Sequence, residues 1–282
     1  MNKKLVQWLF DTKAIRVCPQ DKPFWYTSGT IGPYYINTHF LYGSEEKANA
    51  LLELIDRERV NILYCPSRVF AAVWENYNAD SIYKGIIDEM ISFIKEKIPL
   101  EEVSYISGGE RRDWFFSLVI ASILDKPHIT IYKDLKAVLW HKGEAREPEN
   151  ISGKVLHIAD LITEASSYER AWIPAVERLG GDFRYSLVVV DRKQGGEEFL
   201  KSRNIEPYSM AEIDKEFFKT VFSMGIINEQ QYQMLEEYVK NPREAMRQFL
   251  LKHPDFLENA LKAGDKNSER AKLCVEKNIY GL

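Results

Sequence analysis

Four segments of the chain carry residues whose types and spacing could do chemistry. The first is Gly153-Lys154-Val155-Leu156-His157-Ile158-Ala159-Asp160-Leu161-Ile162-Thr163-Glu164-Ala165-Ser166-Ser167. An apolar run ends in an acid, and a short stretch of hydroxyl and small residues then opens a helix. Backbone N–H groups at a helix start suit a phosphate, and an acid at a strand tip can accept hydrogen bonds from ribose hydroxyls. The same residues also read as a plain helix cap, because Ser166 and Glu169 have capping-box spacing. The second segment is Ser107-Gly108-Gly109-Glu110-Arg111-Arg112-Asp113. Its two glycines let the backbone approach a ligand closely, and Arg111 and Arg112 offer guanidinium forks that match phosphate oxygens. Taken alone it is equally a solvated turn with surface charges.

The third segment, Tyr132-Lys133-Asp134-Leu135-Lys136 with Trp140-His141-Lys142-Gly143, loads a polar stretch with cations. Residues 133–152 read as a long mobile loop. The fourth, Val190-Asp191-Arg192-Lys193-Gln194-Gly195-Gly196, puts Arg192 at the end of an apolar strand. A lone arginine there is ordinarily a surface residue. Several such segments on one sheet edge converge on an anion.

The elements that must position these segments follow from periodicity. Leu5 to Ile15 reads as a short helix, and residues 24–42, rich in aromatics and broken by Gly29, Gly32 and Pro33, as strands joined by a turn. Glu45 to Glu58 and Asp80 to Lys97 carry apolar stripes at helical spacing. Strand and helix then alternate: Val103–Ile106, Trp114–Leu124, His128–Tyr132, Lys154–Ala159, Ser167–Leu179 and Tyr185–Val190. That order predicts an α/β fold, a parallel sheet flanked by helices, with ligands at the carboxyl ends of the strands. From Asp214 the pattern is helical only. The expected organisation is one domain over residues 1–210 and an all-helical C-terminal extension over 211–282. Pro174 stands inside a helical stretch and should kink it.

Composition narrows the function. The 282 residues are 45% hydrophobic and 28% charged, with formal net charge −4. These values argue against disorder and against a nucleic-acid partner, so an anionic ligand must be held by a local cluster. Cys18, Cys65 and Cys274 stand far apart with no CxxC pair, which reads as reduced thiols in a cytoplasmic protein, not a disulfide frame or zinc site. The apolar run at the start is too short for a signal peptide and meets Asp11 and Lys13. No stretch reaches the ~20 apolar residues of a membrane span.

Together these segments resemble the type I phosphoribosyltransferases, most of all those that act on orotate, over about residues 24–210. Phe24-Trp25-Tyr26-Thr27-Ser28-Gly29-Thr30-Ile31-Gly32-Pro33-Tyr34-Tyr35-Ile36-Asn37 is similar to the family's F-x-L-x-S-G-x-x-S-P-Y-Y-x-N segment beside the base. Gly108 to Asp113 lies at the pyrophosphate loop, and Leu156 to Ser167 matches the phosphoribosyl pyrophosphate motif. Asp191-Arg192-Lys193-Gln194 is similar to a D-R-Q-E stretch that reaches the pyrimidine. The resemblance implies that Arg111, Arg112, Asp160, Thr163, Ala165, Ser166 and Ser167 hold phosphoribosyl pyrophosphate. It also implies that Lys133, Lys136 and Asp160 serve catalysis and that Tyr34, Tyr35 and Arg192 meet the base. Mg²⁺ would ride on the pyrophosphate, with no metal-ligating side chain named, and the protein would be a homodimer. The implied reaction transfers ribose 5-phosphate to orotate or a related base. The alternative is a non-catalytic nucleotide or sugar-phosphate binding protein on the same fold.

The departures from the family pattern are chemical. Ala159 stands where most members carry the first of two acids, and Thr163-Glu164-Ala165-Ser166-Ser167 replaces a glycine and adds a carboxylate. Were Glu164 to point inward, two like charges ~4 Å apart at an effective dielectric near 20 would cost ~4 kcal/mol. Thr27 replaces a usual lysine and Tyr132 a usual arginine.

Overall fold

The computed structural model describes residues 2–282. The chain divides into two compact units: one joins the segment ending at Lys13 to Thr38–Ile213, the other joins Ala14–Asn37 to Asp214–Leu282.

The first unit is built on a seven-stranded sheet. From one edge, Glu206–Glu212, Asp182–Asp191, Lys154–Ile162, Val103–Gly109 and His128–Ile131 run parallel, and Ala137–His141 and Glu144–Arg146 complete it antiparallel. The expected parallel sheet with flanking helices is therefore present, with an added hairpin. That hairpin replaces much of the loop expected over 133–152. Val138, Leu139 and Trp140 are buried, the Trp140 ring packs on Phe70 with centroids 4.6 Å apart, and its Nε1–H donates to Ser67 Oγ at 3.0 Å. Five consecutive residues with a buried centre outweigh the polar flanks.

The central strands are near-continuous apolar runs because both faces are covered. Trp114–Ile123, buried along almost its whole length, packs on Val103–Gly109, His128–Ile131 and Lys154–Ile162. Val155 and Ala159 instead join a cluster with Ile129, Trp172 and Val176. Glu45–Glu58 starts at Ser44, whose Oγ accepts from Lys47 N–H, and Ser81–Lys97 at Asp80, which accepts from Ile82 and Tyr83. Between them lies Cys65–Ala79, a helix the periodicity did not announce; Pro66 sits in its first turn, where a missing N–H costs nothing. Gly196–Ser202 and Glu206–Glu212 were likewise not foreseen.

Pro174 is absorbed by a local change of helix type. Tyr168–Trp172 forms a π turn, closed by Ile173 N–H on Tyr168 O, and regular helix resumes over Ile173–Arg178. A proline has no N–H to give and crowds the carbonyl four residues back, and a widened turn just before it accommodates both.

In the second unit, Ile15–Val17 pairs antiparallel with Tyr34–Ile36, and Phe24–Trp25 with Ile31–Gly32. Five helices follow from the other end of the chain: Lys215–Ser223, Glu229–Lys240, Pro242–Lys252, Pro254–Lys262 and Lys266–Glu276. The aromatic segment makes its contacts with these helices. Tyr34 lies 5.3 Å from Phe218 and 5.8 Å from Tyr238 between ring centroids, and Trp25 stacks on Phe256 at 5.6 Å. Arg270 donates to Trp25 O at 2.8 Å, and the buried Ile31 N–H donates to Tyr280 Oη at 2.9 Å. Among the described residues no helix is long and apolar enough to cross a membrane, and the three cysteines are buried and free.

Tyr280→Phe leaves the buried Ile31 N–H without its acceptor. The expected loss is about 1–3 kcal/mol of unfolding free energy, read by urea denaturation. An unchanged midpoint would mean that this bond does not tie the two segments.

Candidate anion-binding site

A cavity of about 490 Å³ opens at the carboxyl ends of three adjacent parallel strands. The loop after Val103–Gly109 contributes Arg111 and Arg112, and the turn after His128–Ile131 contributes Lys133. Lys154–Ile162 and the loop beyond it contribute Asp160, Thr163, Ala165, Ser166 and Ser167. These residues come together because their strands are parallel neighbours: Gly109 pairs with Ile131, and Ser107 with His157.

The arginine loop is pinned by two acids. Glu110 is 9% exposed; it accepts from Arg59 at 2.5 Å and from Lys133 N–H at 3.1 Å, while its own N–H donates to Ile131 O at 2.8 Å. Arg111 pairs with Asp56. Arg112 is exposed and its side chain makes no hydrogen bond or ion pair with a described residue, so its guanidinium is available to an anion. The two glycines serve the protein's own packing. A Cβ at Gly109 would run into the Trp172 indole, and one at Gly108 into the Ser117 side chain.

Asp113 begins the Trp114–Ile123 helix yet does not cap it. Its carboxylate accepts instead from Gly109 N–H at 3.0 Å and from Asp160 N–H at 3.2 Å. His157, fully buried, places Nε2 3.4 Å from Asp113 Oδ2, and its Nδ1 shares a 2.9 Å hydrogen bond with Ser107 Oγ. Asp160 is 7% exposed and its Oδ2 has no hydrogen-bond partner. Burial, then the nearby Asp113 carboxylate, pushes Asp160 up to about 7, against the opposing pull of Arg112. His39 is driven the other way, down to about 3, by burial and by Arg112 and Arg111.

The third strand runs on to Ile162, further than its expected end at Ala159. Beyond it, Ala165 is buried with φ +59°, the left-handed region that costs a non-glycine residue roughly 1–2 kcal/mol. Glu164 is exposed and does not line the cavity, so the feared repulsion is not built in. The capping-box reading is not realised, since no side-chain cap bond forms at this helix start.

Other expected site residues lie elsewhere. Lys136 is exposed and paired with Asp134 at 2.9 Å. Arg192 donates its backbone N–H to Ile162 O at 3.0 Å, next to the cavity's third strand, but is not part of the lining. Tyr34 and Tyr35 belong to the second unit, Tyr34 buried among Phe218 and Tyr238 and Tyr35 against Phe24. Glu110, Asp113, Arg170 and Trp172 line the cavity without having been singled out. An acid directly before the largely apolar Trp114–Ile123 helix is the signal that could have drawn attention to Asp113.

The sheet order and the cavity at its strand tips define a type I phosphoribosyltransferase fold. No family model matches the chain. It is 26% identical over 220 residues to the orotate phosphoribosyltransferase of Sulfolobus acidocaldarius, covering 77% of this chain and 89% of that one. It is 22% identical over 186 residues to the adenine phosphoribosyltransferase of Mannheimia succiniciproducens, covering 59% and 98%. Among solved structures, the Leishmania donovani UMP synthase superposes with TM-score 0.53 at 16% identity, covering 84% of this chain and 42% of that one. The Francisella tularensis orotate phosphoribosyltransferase gives TM-score 0.50 at 13% identity, covering 83% and 96%. The chain is thus similar to the type I phosphoribosyltransferases in fold, and at 26% and 22% identity in sequence.

The buried acid makes stability depend on pH. Between the ordinary value of 3.8 and about 7 the unfolded chain ionises Asp160 while the native state does not. Stability therefore falls across that window and the loss persists above it. Asp160→Asn should raise the melting temperature by several degrees at pH 8 and leave it unchanged at pH 4, as read by scanning calorimetry. An equal effect at both pH values would show that the carboxyl is solvated.

Proposed function

We propose that the cavity binds phosphoribosyl pyrophosphate and that the protein transfers its ribose 5-phosphate to orotate or a related base. The observation that carries this reading is the meeting of an unpaired Arg112, Lys133 and an unpartnered Asp160 oxygen with the Thr163–Ser167 loop in one cavity. Cations on one side and helix-start amides on the other suit a ligand with phosphates at both ends of a ribose. As pyrophosphate leaves, Arg112 and Lys133 can take up the charge that develops on it, and exclusion of water strengthens both contacts. Asp160 sits where it can position a ribose hydroxyl. The resemblance also implies a cytoplasmic homodimer.

The cavity residues do not themselves build a Mg²⁺ site. Among the described residues no group of three His, Cys, Asp or Glu side chains could hold a metal ion, Ala159 replaces an acid, and Asp160 is held toward its neutral form. No step is assigned to the metal.

The second reading is a binding protein that has lost catalysis. It is favoured by Ala159, which is packed into the apolar cluster with Val155 and Trp172 and offers no polar atom to the cavity. Pyrophosphate release assayed with orotate and with purine bases separates the two: release supports transfer, and binding without release supports the second.

Calorimetric titration of phosphoribosyl pyrophosphate should give saturable heat, and no heat at millimolar ligand would remove both readings. Arg112→Ala should weaken binding by about 10- to 100-fold, the worth of a charge-assisted contact. Glu164→Gln should change affinity by less than about twofold, because a solvated charge outside the cavity is screened.

A further inference from the structure

The arrangement around Asp113 is more elaborate than a loop anchor requires. Its carboxylate reaches across the sheet instead of along its own helix, taking Gly109 N–H from one strand and Asp160 N–H from the next. His157 stands behind it at 3.4 Å, held by Ser107 and walled in by Tyr168, Trp172 and Phe183. This buried row starts at Ser107, passes His157, whose Nε2 lies near Asp113 without a hydrogen bond, and ends at the Asp160 backbone N–H; the Asp160 Oδ2 is buried without a partner in a residue that lines the cavity.

We propose that Asp113, with His157 behind it, is a positioning residue that braces the arginine loop against the Asp160 strand and makes phosphate-ester binding depend on the proton Asp160 carries. The inference rests on the phosphoribosyl reading of the cavity. A buried carboxyl beside a carboxylate resists ionising. Burial and Asp113 both favour the protonated form of Asp160. A neutral acid can donate its O–H to a ligand oxygen, whereas the ionised form repels an anion in the same place. The other charged or titratable groups that line the cavity around Asp160 are Glu110, Arg111 and Arg112 from the loop, Lys133 from the next turn, and Tyr168 and Arg170 from the helix. Glu110 and Arg111 are each paired, to Arg59 and Asp56, and among these groups Asp113 and Arg112 are the charges that act on Asp160.

The experiment is calorimetric titration of ribose 5-phosphate into the full chain from pH 5.5 to 8.5 (probe concentrations chosen for a weak ligand). Wild-type affinity should fall about tenfold as pH rises through 7. Asp160→Asn should lose that fall, its remaining slope reporting the ligand's own phosphate titration. Asp113→Asn should move the fall to lower pH by about one unit, because the like charge is gone while the loop's size is kept. Absence of wild-type binding at every pH sinks the phosphoribosyl reading and this inference with it. Binding with an unshifted profile in Asp113→Asn sinks the inference alone. Should that variant not fold, wild-type NMR decides. The Gly109 amide, bonded to Asp113, must titrate with the same midpoint as the Asp160 carboxyl carbon; separate midpoints overturn the coupling.

Discussion

The Asp113 carboxylate takes its hydrogen bonds from the ends of two different strands, Gly109 and Asp160, and the cavity depends on that bridge. A buried carboxylate is tolerated only when hydrogen-bonded, so the bridge also fixes the loop. Glu110, three residues earlier, anchors the opposite flank through Arg59 and the Lys133 amide. Between these two fixed acids the backbone has little freedom, and Arg112 is the side chain left facing solvent without a partner. An anion meeting it finds a guanidinium whose loop is already ordered, which lowers the conformational entropy lost on binding.

Two of the departures from the family pattern have different physical weights. Glu164 adds a charge to the sequence but not to the cavity wall, where the exposed side chain has no place. Ala159 subtracts an acid from a position 2% exposed, among Val155, Trp172 and Val176. The alanine both packs on that cluster and lines the cavity without a polar side-chain atom.

Much of this was legible in the sequence. Alternating apolar strands and helices announced the parallel sheet, and the residues of the arginine loop and of the Thr163–Ser167 loop do line one cavity. What escaped was set by tertiary contacts. Ala137–His141 is a strand because Trp140 has Phe70 and Ser67 to pack against. Gly108 and Gly109 looked like ligand-facing glycines, yet their missing side chains make room for Ser117 and Trp172. Asp113 stands directly before a helix yet gives its oxygens to Gly109 and Asp160, a choice that no spacing rule encodes. The aromatic segment around Tyr34 and Tyr35 was read beside the base site, and no local pattern linked it to the C-terminal helices.

That last pairing bears on how the chain reaches its native state. Ile31 waits for Tyr280, 249 residues later, and Trp25 for Phe256. The loop closed between them is long, and its entropic cost must be met before the contact rewards it. During synthesis Tyr34 gains Phe218 and Tyr238 first, while Trp25 and Ile31 wait for residues that emerge later still. Loss of the helix and turn that carry Phe256 and Tyr280 would strip cover from Trp25 and Ile31, so segments far apart in sequence are constrained as one: neither can vary freely without the other.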